Sequence, residues 1–256
     1  MSSRPPRIFS DKRRMARRLR VLGRDDGPRF IIDNMIEEVT DRLGFMRLEP
    51  AKPLVVGDHT RQLGRQLAPD GCTLADIVGS SDHMEIDLEE PYPLDGYDFI
   101  ANLGLLDTVN DLPGALLHMR NALAPGGVAI ACFVGGGSLT KLRRAMLEAD
   151  GNRPAARVHP LIDPRSCPQL LSRAGWAHPV VDSYPLSVRY PSMDRLVQDL
   201  RDMAMGNVLA SAAPPVSRDG LSQAREAFMA MADDDGKVTE TFEIITLTGR
   251  RSLAGT

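Results

Sequence analysis

The chain has 256 residues, 43% of them hydrophobic, 25% charged and 5% aromatic, with a formal net charge of −3. That composition excludes a disordered, collagenous or rod-like chain, and the small charge gives no sign of a general nucleic-acid binder. No run approaches 18 apolar residues and the start lacks an apolar h-region, so neither a membrane span nor a secretory signal is expected. Cys72, Cys132 and Cys167 are scattered and odd in number, which points to reduced thiols in the cytoplasm. The histidines and cysteines show no H-E-x-x-H or C-x-x-C spacing, so no metal site is expected.

The charge is unevenly placed. Residues 1–24 carry nine basic side chains (Arg4, Arg7, Lys12, Arg13, Arg14, Arg17, Arg18, Arg20, Arg24) against Asp11 alone, leaving the rest of the chain at −11. Three readings fit this stretch. It is a solvated first helix whose Ile8, Phe9, Met15 and Leu19 touch the core, a basic helix that docks an anionic partner, or an Arg-rich targeting segment.

Further along, strand-like and helix-like runs alternate. Pro53 opens the run Leu54-Val55-Val56, which stops at Gly57-Asp58. A helix over 59–68 ends before Pro69-Asp70-Gly71. Cys72–Val78 and Met84–Asp87 read as the second and third strands, and Tyr97–Leu103 as the fourth. A helix over Leu112–Leu123 follows, with Asp111 as N-cap and Pro113 in its first turn. Ala124-Pro125-Gly126-Gly127 stops it, and Val128–Val134 is the fifth strand. Continuous apolar strands separated by helical stretches imply a parallel sheet covered on both faces. The fold class expected is α/β, a doubly wound, mostly parallel sheet.

The C-terminal third is less regular. Gly135-Gly136-Gly137-Ser138 leads into a helix over Leu139–Ala149. Then come a Pro-rich loop with His159 and Arg165, and a short helix over Cys167–Ala174 ending at Gly175-Trp176, where Trp176 is expected in the core. Val180–Tyr184 and Val188–Tyr190 alternate like an edge ribbon. Helices over 192–205 and 217–232 precede a last strand, Phe242–Thr248.

In an open parallel sheet, ligands sit beyond the carboxyl ends of the strands, where strand order reverses. The first strand-to-helix turn reads Gly57-Asp58-His59-Thr60-Arg61, then Leu63-Gly64. It has neither G-x-G-x-x-G nor G-x-x-x-x-G-K-[ST], which argues against a dinucleotide enzyme and an ATPase. Asp76 and Asp87 fall where ribose and adenine contacts usually lie, although acids at strand ends are also common turn caps. No general base stands out. Asp107, Tyr190 and His159 are the candidates that the pattern brings nearest the cleft, each with a structural role as its ordinary alternative.

These residues carry a resemblance. The strand order and the stretch from Asp87 to Val134 resemble class I S-adenosylmethionine (SAM)-dependent methyltransferases. The phrases Val109-Asn110-Asp111-Leu112-Pro113, Phe133-Val134-Gly135-Gly136-Gly137-Ser138-Leu139, Leu170-Leu171-Ser172-Arg173-Ala174-Gly175-Trp176 and Val188-Arg189-Tyr190-Pro191 are similar to one subfamily. It holds the mitochondrial complex I assembly factor of methyltransferase fold and its bacterial relatives, and is related to malonyl-acyl-carrier-protein methyltransferases. The opening Phe9-Ser10-Asp11-Lys12-Arg13 resembles that subfamily's basic N-terminal helix. The resemblance implies a seven-stranded sheet with helical lid insertions, in one domain over 1–256. Within it, basic N-terminal helices cover 1–48, a cofactor-binding half 49–138, and lid helices, edge strands and the C-terminal strand 139–256. It also implies SAM as cofactor, on Gly57, Asp58, Asp76, Asp87, Leu88 and Asn102.

The chain departs from the family pattern in the cofactor loop. Val55 stands where relatives have an acid, and His59 and Arg61 replace the second and third glycines; Asp107-Thr108 stand where relatives often have His-Trp. A left-handed backbone at a non-glycine costs about 1–2 kcal/mol. A lost carboxylate contact to the ammonium group of SAM removes about 1.5–3 kcal/mol more. Together, about 2.5–5 kcal/mol is two to nearly four orders of magnitude in affinity. The resemblance implies first a SAM-dependent methyltransferase acting on a small, carrier-bound or protein acceptor. The altered loop gives as the alternative a non-catalytic assembly scaffold recruiting a partner through the basic helix. The assembly-factor relatives imply, last, a protein-arginine hydroxylase, for which the sequence shows no oxygen-activating metal site.

Overall fold

The computed structural model describes residues 7–24, 26–69 and 71–253; Arg4 and Asp70, named above, lie outside them. Two helices, α1 (Asp11–Leu22) and α2 (Phe30–Met46), precede the sheet. The chain then alternates β1 (Pro53–Val56), α3 (Gln62–Leu67), β2 (Thr73–Asp76), β3 (Met84–Glu85), β4 (Tyr97–Leu103), α4 (Leu112–Ala122) and β5 (Leu123–Val134). It closes with α5 (Thr140–Asp150), α6 (Cys167–Arg173), β6 (Ala177–Tyr190), α7 (Met193–Asp202), α8 (Arg218–Met229) and β7 (Val238–Arg250).

The strands form a seven-stranded sheet in the order β3-β2-β1-β4-β5-β7-β6. Only β7 runs antiparallel to its neighbours. Strand order reverses between β1 and β4, so the cleft opens beyond Val56 and Leu103. Both faces are covered, as the unbroken apolar strands require. Phe99, Ala101 and Leu103 of β4 join Val128, Ile130 and Cys132 of β5 under α2, α5, α7 and α8. Ile100, Ala129, Ala131 and Phe133 face α4 and α6 on the other side. Trp176 is buried there and donates from Nε1 to the Leu116 carbonyl at 3.0 Å.

Several boundaries differ from the sequence expectation for local reasons. The first crossover helix starts at Gln62, not residue 59, because Asp58–Arg61 form a turn that caps it. The third strand ends at Glu85. The edge ribbon is one 14-residue strand, since Pro185 sits at a position that the outer edge tolerates. Asp111 is the N-cap of α4, accepting from the Gly114 N–H at 2.9 Å. Gly135 and Gly137 need no ligand to explain them. A Cβ at Gly135 would stand 2.5 Å from Ile245 Cδ1, and one at Gly137 3.0 Å from Glu243 Oε2.

The first helix overturns an expectation. Ile8, Met15 and Leu19 are 45%, 37% and 56% exposed, whereas the buried residues of α1 are Arg14, Arg18 and Val21. Of the apolar residues expected in the core, only Phe9 is buried. Its N–H donates to Asn110 Oδ1 at 2.8 Å and its carbonyl accepts from Asn110 Nδ2. The helix is laid on the cleft with its cations inward.

Candidate functional site

The cofactor loop follows β1. Gly57 has φ of +86°, and a Cβ there would lie 2.3 Å from the Leu103 carbonyl oxygen, so only glycine fits. Asp58 is fully buried and turned into its own loop. Its Oδ1 accepts from the Thr60 N–H at 2.9 Å and its Oδ2 from the Leu63 N–H at 2.8 Å. Arg61, at the third glycine position, has φ of +60° and pairs with Asp82. The left-handed backbone expected there is therefore present, carried by a residue with a side chain. The His59 ring lies beside Arg18. Burial first, then the charges of Arg18, Arg29 and His83, push its pKa down to about 3, so it is neutral.

Asp76, at the end of β2, is fully buried and already paired. Arg18 Nε donates to its Oδ1 at 3.0 Å and its Oδ2 at 2.8 Å, and Arg18 Nη2 lies 2.7 Å from Oδ2. The same Nη2 donates to the Gly57 carbonyl. One guanidinium from α1 thus occupies both the acid and the loop carbonyl at the mouth of the seat.

The remaining residues proposed for the cofactor are not gathered here in a common role. Asp87 is exposed and caps a turn, accepting from the Glu89 N–H at 2.9 Å. Leu88 is core. Asn102 is fully buried beside the Tyr92 hydroxyl, and neither side chain makes a hydrogen bond of normal geometry. Arg14 is buried close by, between Asp11 at 3.7 Å and Glu89 at 3.9 Å, with Nε and Nη2 unpartnered.

Beyond β4 and β5 lie two adjoining cavities. The one against the cofactor loop, between Arg18, His59, Leu103, Gly104 and Asp107, holds only about 40 Å³. The other, of about 230 Å³, is enclosed by α5, α7 and the loops before Leu161 and Val208. Two of the three catalytic candidates meet on its wall. Burial pushes the Asp107 carboxyl up to about 7 against the pull of Arg14 and Arg18. Burial, then Arg143 and Arg17, push His159 down to about 4, and neither of its ring nitrogens has a partner. The Phe9 ring packs edge-on against His159 at 5.6 Å. Tyr190 lies elsewhere, buried in the core with its hydroxyl unpartnered and its pKa raised by burial. Arg165 is exposed and pairs with Asp163, away from the cleft. Arg14, Arg17 and Arg18 were missed as site residues. The one signal in the sequence was their i, i+3, i+4 spacing, which places all three on one side of the helix.

A family model described as a methyltransferase domain matches residues 50–179. With the strand order seen here, that match covers half the chain. The chain belongs to the class I SAM-dependent methyltransferases. This methyltransferase domain is 30% identical over 163 residues to the mitochondrial arginine-hydroxylase NDUFAF5 of Danio rerio, covering 62% of the chain and 51% of that protein. It is 28% identical over 159 residues to a malonyl-[acyl-carrier protein] O-methyltransferase of Halorhodospira halophila, covering 60% and 52%. The chain spans about half the length of these curated relatives. Among solved structures it resembles a methyltransferase-like protein of Bacillus halodurans (TM-score 0.53, 11% identity, 83% of this chain and 99% of that one). It also resembles the [4+2]-cyclase SpnF (TM-score 0.52, 14% identity, 98% and 99%). Likeness at that level shows the fold alone, and the cyclase shows that the fold hosts other chemistry.

In this conformation the part of the seat that Arg18 enters does not fit SAM. Ligand sites of this kind offer about 300–1,000 Å³; between Arg18, Gly104 and Asp107 there is about 40 Å³, and a separate space of about 280 Å³ is lined by His59, Thr60, Arg61 and Arg65 of the same loop. The acid that would take the ribose is bound by Arg18. Among the described residues, no group of three or more His, Cys, Asp or Glu side chains is placed to hold a metal ion. No helix among them is long and apolar enough to cross a membrane.

Proposed function

We propose that this methyltransferase-fold chain acts without SAM, as a cytoplasmic, non-catalytic scaffold that recruits a protein partner through the outer face of α1. The observation that supports this most is the Arg18–Asp76 pair. It fills the seat with the protein's own cation and leaves Lys12, Met15, Ala16, Leu19 and Arg20 as one exposed stripe at helical spacing. An apolar strip flanked by cations suits an acidic protein surface with an apolar centre. Calorimetric titration with SAM and S-adenosylhomocysteine tests the reading. The expected result is no heat up to millimolar ligand, and micromolar binding by the wild-type chain overturns it. The partner surface is tested by pull-down after Lys12→Glu and Arg20→Glu, which lie outside, not by reversal of the buried Arg14 and Arg18.

A second reading is a SAM-dependent methyltransferase in which α1 leaves the seat before the cofactor enters. The family membership favours it, as do the unpartnered buried groups of Asn102 and Arg14, which a ligand could satisfy. Its acceptor, small, carrier-bound or a protein side chain, would enter the larger cavity. Micromolar SAM binding by Arg18→Ala, absent from the wild type, is the outcome that distinguishes it.

A further inference from the structure

The larger cavity has a chemistry of its own. Its walls are apolar where α5 and α7 meet: Leu142, Met146, Val197 and Leu200 face a space of about 230 Å³. An apolar cavity of roughly 150 Å³ holds a benzene ring, so this one takes a body about half as large again.

Its polar groups are unevenly matched. Arg157 is committed to Asp150 at 2.5 Å, and Asn207 to the carbonyls of Ala156 and Arg157. Arg17 and Arg201 have no carboxylate within ion-pair distance among the described residues, and of the two Arg17 is the one withdrawn from solvent, Arg201 being exposed. Arg17 is half-buried, and the charges that act on it are Arg20, Arg13 and Arg201, all of its own sign. Its Nη1 packs closely on Gly206, where a Cβ would come within 1.5 Å of it. His159, 5% exposed and neutral, brings two unpartnered ring nitrogens to the same wall. Asp107 is the acid on the wall, and burial holds it partly protonated near neutrality. Unmatched cations gathered over an apolar cavity are stabilised by an anion with an apolar body.

We propose that this cavity binds a medium-chain carboxylate, with its head between Arg17, Arg201 and His159 and its chain among Leu142, Met146, Val197 and Leu200. The site goes beyond the scaffold reading and does not depend on it, because it needs neither SAM nor movement of Arg18. Neutral His159 donates one N–H to the head group, and the two guanidiniums supply charge-assisted hydrogen bonds.

Heptanoate and its neutral analogue heptanamide are titrated into the wild-type chain by calorimetry. Saturable one-to-one binding of heptanoate, at least tenfold tighter than heptanamide, is expected. Arg17→Gln and Arg201→Gln each weaken heptanoate about tenfold and leave heptanamide unchanged, and Leu142→Trp, which fills the cavity, removes both. Equal affinity for the two ligands in the wild type overturns the proposal, as does no binding of heptanoate up to millimolar concentration. Heptanoate binding that survives Leu142→Trp also overturns it, since the ligand would then sit on the surface. The wild-type comparison decides even if a variant fails to fold, and thermal unfolding of each variant identifies that case.

Discussion

Two neighbouring regions of the same cleft treat charge in opposite ways. In the cofactor seat, a buried carboxylate meets a buried guanidinium with matched geometry, and the space left over is small. In the cavity beside it, the half-buried Arg17 stands without an ion-pair partner, and the space is several times larger. The first region has given its acid to its own cation, although Asn102 and part of Arg14 stay unpartnered, and the second holds a cation with no ion-pair partner. A fold-level label assigns both to one reaction; their electrostatics assign them different tasks.

The comparison can be broken most directly at Arg18. Removing one partner of a buried pair costs about 3–5 kcal/mol, and for a chain of this size each kcal/mol lowers the Tm by roughly 2–4 °C. Arg18→Ala is therefore expected to lower the melting temperature by about 6–20 °C, and Arg18→Met with Asp76→Leu to recover most of that loss. A melting curve for Arg18→Ala that matches the wild type would mean that the pair is not closed in solution. Next in size is Gly57→Ala, which places a Cβ on the Leu103 carbonyl at positive φ. It is expected to cost more than about 2 kcal/mol in chemical denaturation.

The pH dependence sharpens the contrast on the cavity wall. The Asp107 pKa is raised from 3.8 to about 7 in the folded chain, so between those values the folded state binds more protons than the unfolded one. Its contribution is full below about pH 4 and is lost as pH rises through 7. The His159 pKa is lowered from 6.5 to about 4, so its contribution runs the other way, rising with pH across that window. The two slopes oppose each other. Asp107→Asn should remove the falling component, of the order of 4 kcal/mol between pH 4 and 7, and His159→Gln should remove the rising one. Denaturant midpoints at several pH values measure both. The smallest expected effect is at Leu19, 56% exposed. Leu19→Gln should change stability by less than about 0.5 kcal/mol and still reduce partner capture.

Much of this architecture was legible in the sequence, for identifiable reasons. β4 was found over its whole length, because Tyr97–Leu103 is an apolar run entered from a turn. α4 declared itself through Asp111 and Pro113, whose capping chemistry is local. The weakened cofactor loop was equally plain, and Arg61 does stand at positive φ. The orientation of α1 was not legible. Hydrophobicity would have turned Met15 and Leu19 inward, but a buried carboxylate 58 residues away in the chain outweighs two side chains at a helix surface. Asp76 could be named as a site acid, yet nothing near it in sequence says that it is already neutralised. The cavity was illegible for the same reason: Arg17, His159 and Arg201 come from three distant segments.

The short segment between Gly23 and Arg29 tethers α1 to the rest of the chain, and this makes Arg18 an intramolecular competitor for the seat. A ligand that needs the seat open binds only the open fraction, and its apparent dissociation constant is divided by that fraction. If opening costs about 3 kcal/mol, the open form is below roughly one molecule in a hundred, and a micromolar ligand then reads as a sub-millimolar one. A partner that grips the outer face of α1 and draws it away would remove that penalty. By linkage, any ligand of the open seat would strengthen that partner's hold by the same factor.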